Sequence, residues 1–215
     1  MFVTATPPPA APMLAPVGVV TAASAPLGAP QHTSLDVRRR QLNVLEDHRV
    51  SVAGRMLEGR SPAHSGRTVA LQTLVGRGWK TVATARTRGN GRFRLSFTAH
   101  RLGSRWLRLR FRGDAIASSA HKRIGRLNVF RLAGASWYGG GGGLACGGQL
   151  TSSTLGVANK TLPCGTIVTL RYGAHTVRVP VVDRGPFVAG RDFDLTEATK
   201  RALGFGDTGQ IWSTG

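Results

Sequence analysis

The sequence predicts an all-β protein with two folded parts, and three observations carry that expectation. First, apolar and polar residues alternate over Arg92-Phe93-Arg94-Leu95-Ser96-Phe97 and over Leu107-Arg108-Leu109-Arg110-Phe111-Arg112. A two-residue period puts one face of a strand in a core and the other in water. Second, the 215 residues include 29 Gly and only 7% aromatics, a turn-rich composition that favours short strands over helix bundles. Third, the charge divides: residues 1–133 hold 22 basic and 5 acidic residues, net +17, whereas residues 134–215 hold 7 and 5, net +2. No apolar stretch reaches the roughly 18 residues of a membrane span, so no transmembrane segment is expected.

Residues 1–36 contain no Lys or Arg and are rich in Ala, Pro, Thr and Val. The small-residue run Ala23-Ser24-Ala25 resembles a signal-peptidase site, but a basic leader is missing and Pro interrupts the apolar run. Two readings stand, a signal segment with a misplaced start or a disordered Pro/Ala linker. With the polar joint at Arg38-Arg39-Arg40, residues 1–45 are therefore set aside from the fold.

Residues 46–132 are expected to form a β-sandwich. Strands are predicted at 49–56, 68–74, 79–87, 92–97, 107–112 and 123–131, with Gly89-Asn90-Gly91 as a tight turn. Trp79 and Trp106 are expected in the core or at an edge. The stripe Arg108, Arg110, Arg112 makes one face strongly positive, read either as a solvated face or as an anion-binding one. The segments Val69-Ala70-Leu71-Gln72, Gly78-Trp79-Lys80-Thr81-Val82 and Gly91-Arg92-Phe93 resemble the immunoglobulin-like modules of bacterial surface proteins, which implies a spacer or wall-facing unit.

Residues 134–215 carry the candidate chemistry. Five consecutive glycines, 139–143, cannot hold regular structure cheaply and read as a loop on a ligand groove or as a disordered connection. Cys146 and Cys164 are the only cysteines; an even count in a chain read as secreted suggests one disulfide. Neither a Cys-x-x-Cys nor a paired His is present, which disfavours zinc, and no cofactor is indicated. Two alternating runs, 166–172 and 176–182, are broken by Gly173-Ala174 as in a hairpin. The second ends in Asp183-Arg184-Gly185-Pro186-Phe187, a carboxylate at a strand end followed by a turn. A short helix is expected over Glu197 to Leu203, capped by Thr196 or by Asp194 and ended by Gly204. Gln210-Ile211-Trp212-Ser213 gives a closing strand. Five of the ten acids, Asp183, Asp192, Asp194, Glu197 and Asp207, fall in this stretch.

Four motifs occur in order: Ala135-Ser136-Trp137-Tyr138-Gly139, Thr161-Leu162-Pro163-Cys164-Gly165-Thr166, Val182-Asp183-Arg184-Gly185-Pro186-Phe187 and Asp194-Leu195-Thr196. Together they resemble the double-psi β-barrel of rare lipoprotein A (RlpA)-like proteins, relatives of the expansin barrel. The resemblance covers 134–215. It implies a six-stranded barrel with a glycan groove, a secreted or cell-envelope location and peptidoglycan as ligand. It also implies lytic transglycosylase activity, which cuts the MurNAc–GlcNAc β-1,4 bond and leaves 1,6-anhydro-MurNAc. On that resemblance Asp183 is the candidate acid, protonated at neutral pH only if burial raises its pKa, and Asp194 is the second candidate. Trp137, Tyr138, Asn159, Arg184 and Trp212 are the candidate groove residues.

The resemblance is incomplete. Catalytic members carry His before the Lys-Thr-Leu-Pro element, where this chain has Asn159, and an acid upstream, where this chain has Gly147-Gly148-Gln149. Asn can hydrogen-bond a sugar but cannot shuttle a proton near pH 7. Three function classes follow. The first is a peptidoglycan lytic transglycosylase. The second is a non-catalytic expansin-like glycan binder. The third is a binder of nucleic acid or of anionic wall polymers through the Arg-rich half; no specific nucleic acid is expected, since no recognition motif is present.

Overall fold

The computed structural model describes Met1, residues 29–38 and residues 41–215. The run at 23–25 and the pair Arg39-Arg40 lie outside the described residues. The first part is a sandwich of two sheets. One contains β1 (Thr33–Asp36), β3 (Arg49–Glu58), β4 (Ser61–Pro62) and β7 (Arg92–Thr98), all antiparallel around β3. The other runs β6 (Gly78–Arg86), β5 (Thr68–Val75), β8 (Gly103–Phe111), β9 (Ala120–Tyr138), with β2 (Leu42–Leu45) parallel on β9. The inward residues of the alternating runs close on one another: Val52 and Leu95 from the first sheet meet Leu71, Leu107 and Leu109 from the second, all buried. Each such side chain contributes roughly 1.5–3 kcal/mol of burial.

Strands β1 and β2 fall inside the stretch set aside as linker, which corrects that expectation. Each has four residues, too few for a periodic signal, and each takes its partner from far along the chain. Leu42 stands opposite Leu127, and Asn128 donates to the Asn43 side chain at 2.7 Å. The ordered sandwich therefore begins near Thr33 rather than at residue 46.

β9 is the joint between the two parts. Its first half belongs to the sandwich, and from Arg131 onward it pairs with β14 (Thr208–Ser213) and β13 (Phe193–Thr196). Between them lie β10 (Val157–Ala158), β11 (Ile167–Tyr172), β12 (His175–Asp183) and α1 (Glu197–Leu203). The pairings close a ring, β9–β13–β10–β12–β11–β14–β9, with β9–β13 and β10–β12 parallel. This is the six-stranded barrel with one helix that the resemblance implied. Its core is separate from that of the sandwich and includes Val157, Leu170, Val181, Phe193, Leu195 and Ile211.

Local chemistry sets the helix limits. The Thr196 hydroxyl accepts from the Thr199 amide, and Gly204 at φ 63 closes the end by donating to the last carbonyls, a left-handed position that glycine adopts without a Cβ clash. Thr196 is thus the cap, and Asp194 is left for other work. Thr196 and Thr199 both also donate to the Gly156 carbonyl, at 3.1 and 2.9 Å, which fixes the start of β10. Gly156 has no room for a side chain, because a Cβ there would collide with Val182.

Candidate active site

The register of four strands builds the site. Ala158 on β10 stands opposite Asp183 on one side and Asp194 on the other, and Asp194 in turn stands opposite Ser136 on β9. The pairing of β10 with β12 shifts between Val157 and Ala158, so that Val181 and then Asp183 are the partners. The extra residue, Val182, is absorbed as a bulge, a device that re-aims the side chain beyond it. Asp183 and Asp194 are therefore two strand spacings apart, roughly 10 Å between Cα atoms.

The five clustered acids separate by what they bind. Asp192 pairs with Arg131, Asp207 with Lys200 and Glu197 with Arg201. Among the described residues Asp183 and Asp194 have no ion pair. Asp183 Oδ1 accepts from the amides of Ala145 and Arg184 at 2.9 and 2.8 Å, and Oδ2 takes no protein donor among the described residues. Asp194 Oδ1 accepts from the Ser136 hydroxyl. Both carboxylates are half-buried and held by neutral donors.

Tyr138 completes the cluster. Burial first, then the charges of Asp183 and Asp194, push its phenol well above the ordinary range, so it is a neutral donor. Its hydroxyl is buried; Asp183 is the nearby acceptor, but the pair falls short of hydrogen-bond geometry and the oxygen has no partner among the described residues.

The loop 139–149 roofs one side. Cys146 and Cys164 form a disulfide, the Cys146 amide donates to the Val182 carbonyl at 3.2 Å and the Ala145 amide reaches Asp183. The glycine run is held in an ordered turn: the Leu150 amide donates to the Gly142 carbonyl at 2.8 Å, and Gly143 bridges Gln149. The alternative of a disordered connection does not hold for this run.

Four of the residues expected in the groove sit elsewhere or do other work. Asn159 is 6% exposed, and its side chain is spent on the fold: Oδ1 accepts from the Thr161 and Leu162 amides and Nδ2 donates to the Asp192 carbonyl. Arg184 turns away from Asp183 and ties the same loop, donating to the carbonyls of Asn159 and Leu162 at 3.0 and 2.9 Å and to Cys164 Sγ at 3.0 Å. Trp137 follows Ser136 on β9 and faces the opposite side of the strand. There its ring lies under Lys200 Nζ at 3.8 Å and its Nε1 donates to Asp207 at 2.9 Å. Trp212 packs on Phe130 with centroids 5.7 Å apart and pairs with Arg171. Arg171 stands opposite Thr176, at the far end of β12 from Asp183, roughly 20 Å along the strand.

Sequence reasoning missed three groups. Ser136 and the Ala145 amide carry no signal of their own, since only register and the disulfide bring them to the carboxylates. Phe187, directly after the cis Gly185–Pro186 peptide and four residues beyond Asp183, is 83% exposed, and Val188 beside it is exposed too. Its exposure in a Gly-Pro turn beside a strand-end acid was the available clue.

Comparison with known proteins bears on this part of the chain. Residues 132–212 match a family model described as lytic transglycolase. A protein of Synechocystis sp. named "probable endolytic peptidoglycan transglycosylase RlpA" is 37% identical over 109 residues, covering 44% of this chain and 34% of that protein. One of Aquifex aeolicus with the same name is 40% identical over 75 residues, 33% of each chain. The chain spans about a third of the length of these curated relatives. Among solved structures, the Streptomyces papain inhibitor is 22% identical, with 39% of this chain and 91% of that one covered at a TM-score of 0.33.

Proposed function

We propose that this chain, whose residues 132–212 are an RlpA-like double-psi β-barrel, is a peptidoglycan lytic transglycosylase of the cell envelope, with Asp183 as its acid and base. The observation that carries this reading is the asymmetry of the Asp183 carboxyl, one oxygen fixed by two backbone amides and the other without a protein donor, and with no ion pair, among the described residues. The names of the relatives support the reaction class.

The reaction needs one proton carrier. Asp183 donates from Oδ2 to the glycosidic oxygen O4 that joins MurNAc C1 to GlcNAc C4; the C1–O4 bond breaks and GlcNAc leaves with a free 4-hydroxyl. The 6-hydroxyl of the same MurNAc then attacks C1, forming the C1–O6 bond, and its proton returns to Asp183. Atoms and charge balance without water. Asp194, on the same side of the barrel, faces the positive charge that develops at C1 and is kept in place by Ser136. Tyr138 supplies a neutral hydroxyl, and Phe187 offers a ring for a sugar face. Asn159 and Arg184 serve by holding the 159–164 loop.

The test is incubation of the oxidised full chain with peptidoglycan sacculi and with peptide-stripped glycan strands, beside Asp183→Asn. Soluble anhydro-ended fragments are expected from the wild type, reduced about a hundredfold or more in the variant, the scale of a lost general acid. Sacculus pelleting without fragments would replace this reading with a glycan-binding barrel. Neither fragments nor pelleting would remove the peptidoglycan assignment.

A further inference from the structure

Away from the carboxylates lies a trench of about 690 Å³ on the outer face of the sandwich sheet, over β6, β5 and β8. The pairing dictates what lines it. Thr84, Ala70 and Arg110 stand in one row across the three strands, so a small residue forms the floor between a hydroxyl and a guanidinium. The next row is Thr81, Gln72, Arg108, and it continues to Arg123 on β9. Successive outward positions of β8 carry Arg108, Arg110 and, just past its end, Arg112. This is a ladder of cations roughly 6.7 Å apart.

The charge on this face is uncompensated. Among the described residues no carboxylate pairs with Arg110 or Arg112. Arg108 is bound to the Gln72 side chain at 2.8 Å and stacks over Trp79 at 4.3 Å; burial, then the like charges of Arg110 and Arg123, pull it below its ordinary value. The carboxylates at the trench, Asp114 at its mouth and Glu58 behind it, are taken by Arg67, whose Nη2 is nevertheless buried without a partner. A concave surface of net positive charge, with its one lining carboxylate tied to Arg67 and an orphan guanidinium donor, is complementary to oxyanions repeated along a chain.

We propose that the trench and the Arg108–Arg110–Arg112 ladder bind a phosphodiester-linked anionic polymer of the cell wall. The choice of a wall polymer over a nucleic acid rests on the envelope location proposed above and on the Cys146–Cys164 disulfide, which belongs to an oxidising compartment. The site lies on the sandwich and acts independently of the glycan chemistry.

The probe is purified poly(glycerol phosphate), with binding to the full oxidised chain measured from about 50 to 200 mM salt and a thymidine oligonucleotide of equal charge in parallel. Arg110→Gln with Arg112→Gln is expected to raise Kd at least tenfold and to flatten the salt slope by about 1.5, the loss of two phosphate contacts. Arg92→Gln with Arg94→Gln, which removes the same charge from the other sheet, is expected to change Kd less than threefold. Circular dichroism and thermal unfolding confirm that both variants fold. Equal weakening by both pairs, or no binding to wild type at 150 mM salt, would overturn the site. Tighter binding of the oligonucleotide with the same arginine dependence would overturn the choice of polymer. Asp183→Asn is expected to keep wild-type polymer affinity. If polymer binding fails while sacculi are still cleaved, this inference falls and the reaction assignment stands.

Discussion

Asn159 gives the sharpest separation between a residue that builds the site and one that touches substrate. Asn159→Ala removes three hydrogen bonds, from Thr161 N, from Leu162 N and to Asp192 O. Each contributes about 1 kcal/mol net, and a donor left buried costs about 1–3 kcal/mol more. The side chain is 6% exposed, so water replaces little of this. A loss of about 2–4 kcal/mol follows for the barrel, read by urea unfolding followed by circular dichroism. Asn159→Asp keeps both acceptor bonds and loses only the Nδ2 donor, so it is expected to cost less than Asn159→Ala. Asn159→His, the residue that the family resemblance implies at this position, cannot match both acceptor bonds to the adjacent amides and the donor bond to Asp192, and is expected to destabilise rather than to activate. A change under about 0.5 kcal/mol in Asn159→Ala, together with weakened glycan binding, would refute the structural role and return Asn159 to the groove.

Glu58 links the sandwich to pH. Burial raises its pKa, but the hydrogen bonds and charges of Arg67 and His64 outweigh burial and leave it below its ordinary 4.5. Its stabilisation is therefore full above about pH 4.5 and lost as pH falls through the folded value; Glu58→Gln is expected to flatten this acid limb of a stability-versus-pH curve. Reduction of Cys146–Cys164, which closes 18 residues, is expected to cost about 3 kcal/mol and to release the amide that Ala145 gives to Asp183, so unfolding midpoint and turnover fall together in dithiothreitol. Phe187→Ala, at an exposed position, is expected to leave stability within about 0.5 kcal/mol and to raise the KM for glycan strands.

Much of the fold was legible because its signals are local. The alternation in 92–97 survives as the buried Phe93 and Leu95 of β7, and the Thr196 and Gly204 caps delimit α1 as expected. β1 and β2 were hidden because their partners lie far along the chain, in β3 and β9. The change in charge near residue 133 falls within a single strand, since β9 pairs with strands of both parts. At the site, Asp183 and Asp194 were legible as motif residues. Their alignment on either side of Ala158 depends on a bulge in a parallel pairing, which leaves no trace in a single sequence. The fates of Trp137 and Trp212 were decided by Lys200, Asp207, Phe130 and Arg171, and an aromatic residue gives no sign of which neighbour will cover it.

The central claim is that Asp183, as acid and then base, drives attack of the sugar's own 6-hydroxyl on C1 without water. Digestion of sacculi in ¹⁸O-labelled water, with the fragments read by mass spectrometry, tests it most directly. The account predicts unlabelled, anhydro-ended fragments that disappear with Asp183→Asn; fragments with a labelled reducing end would show that water attacks C1 and would contradict it.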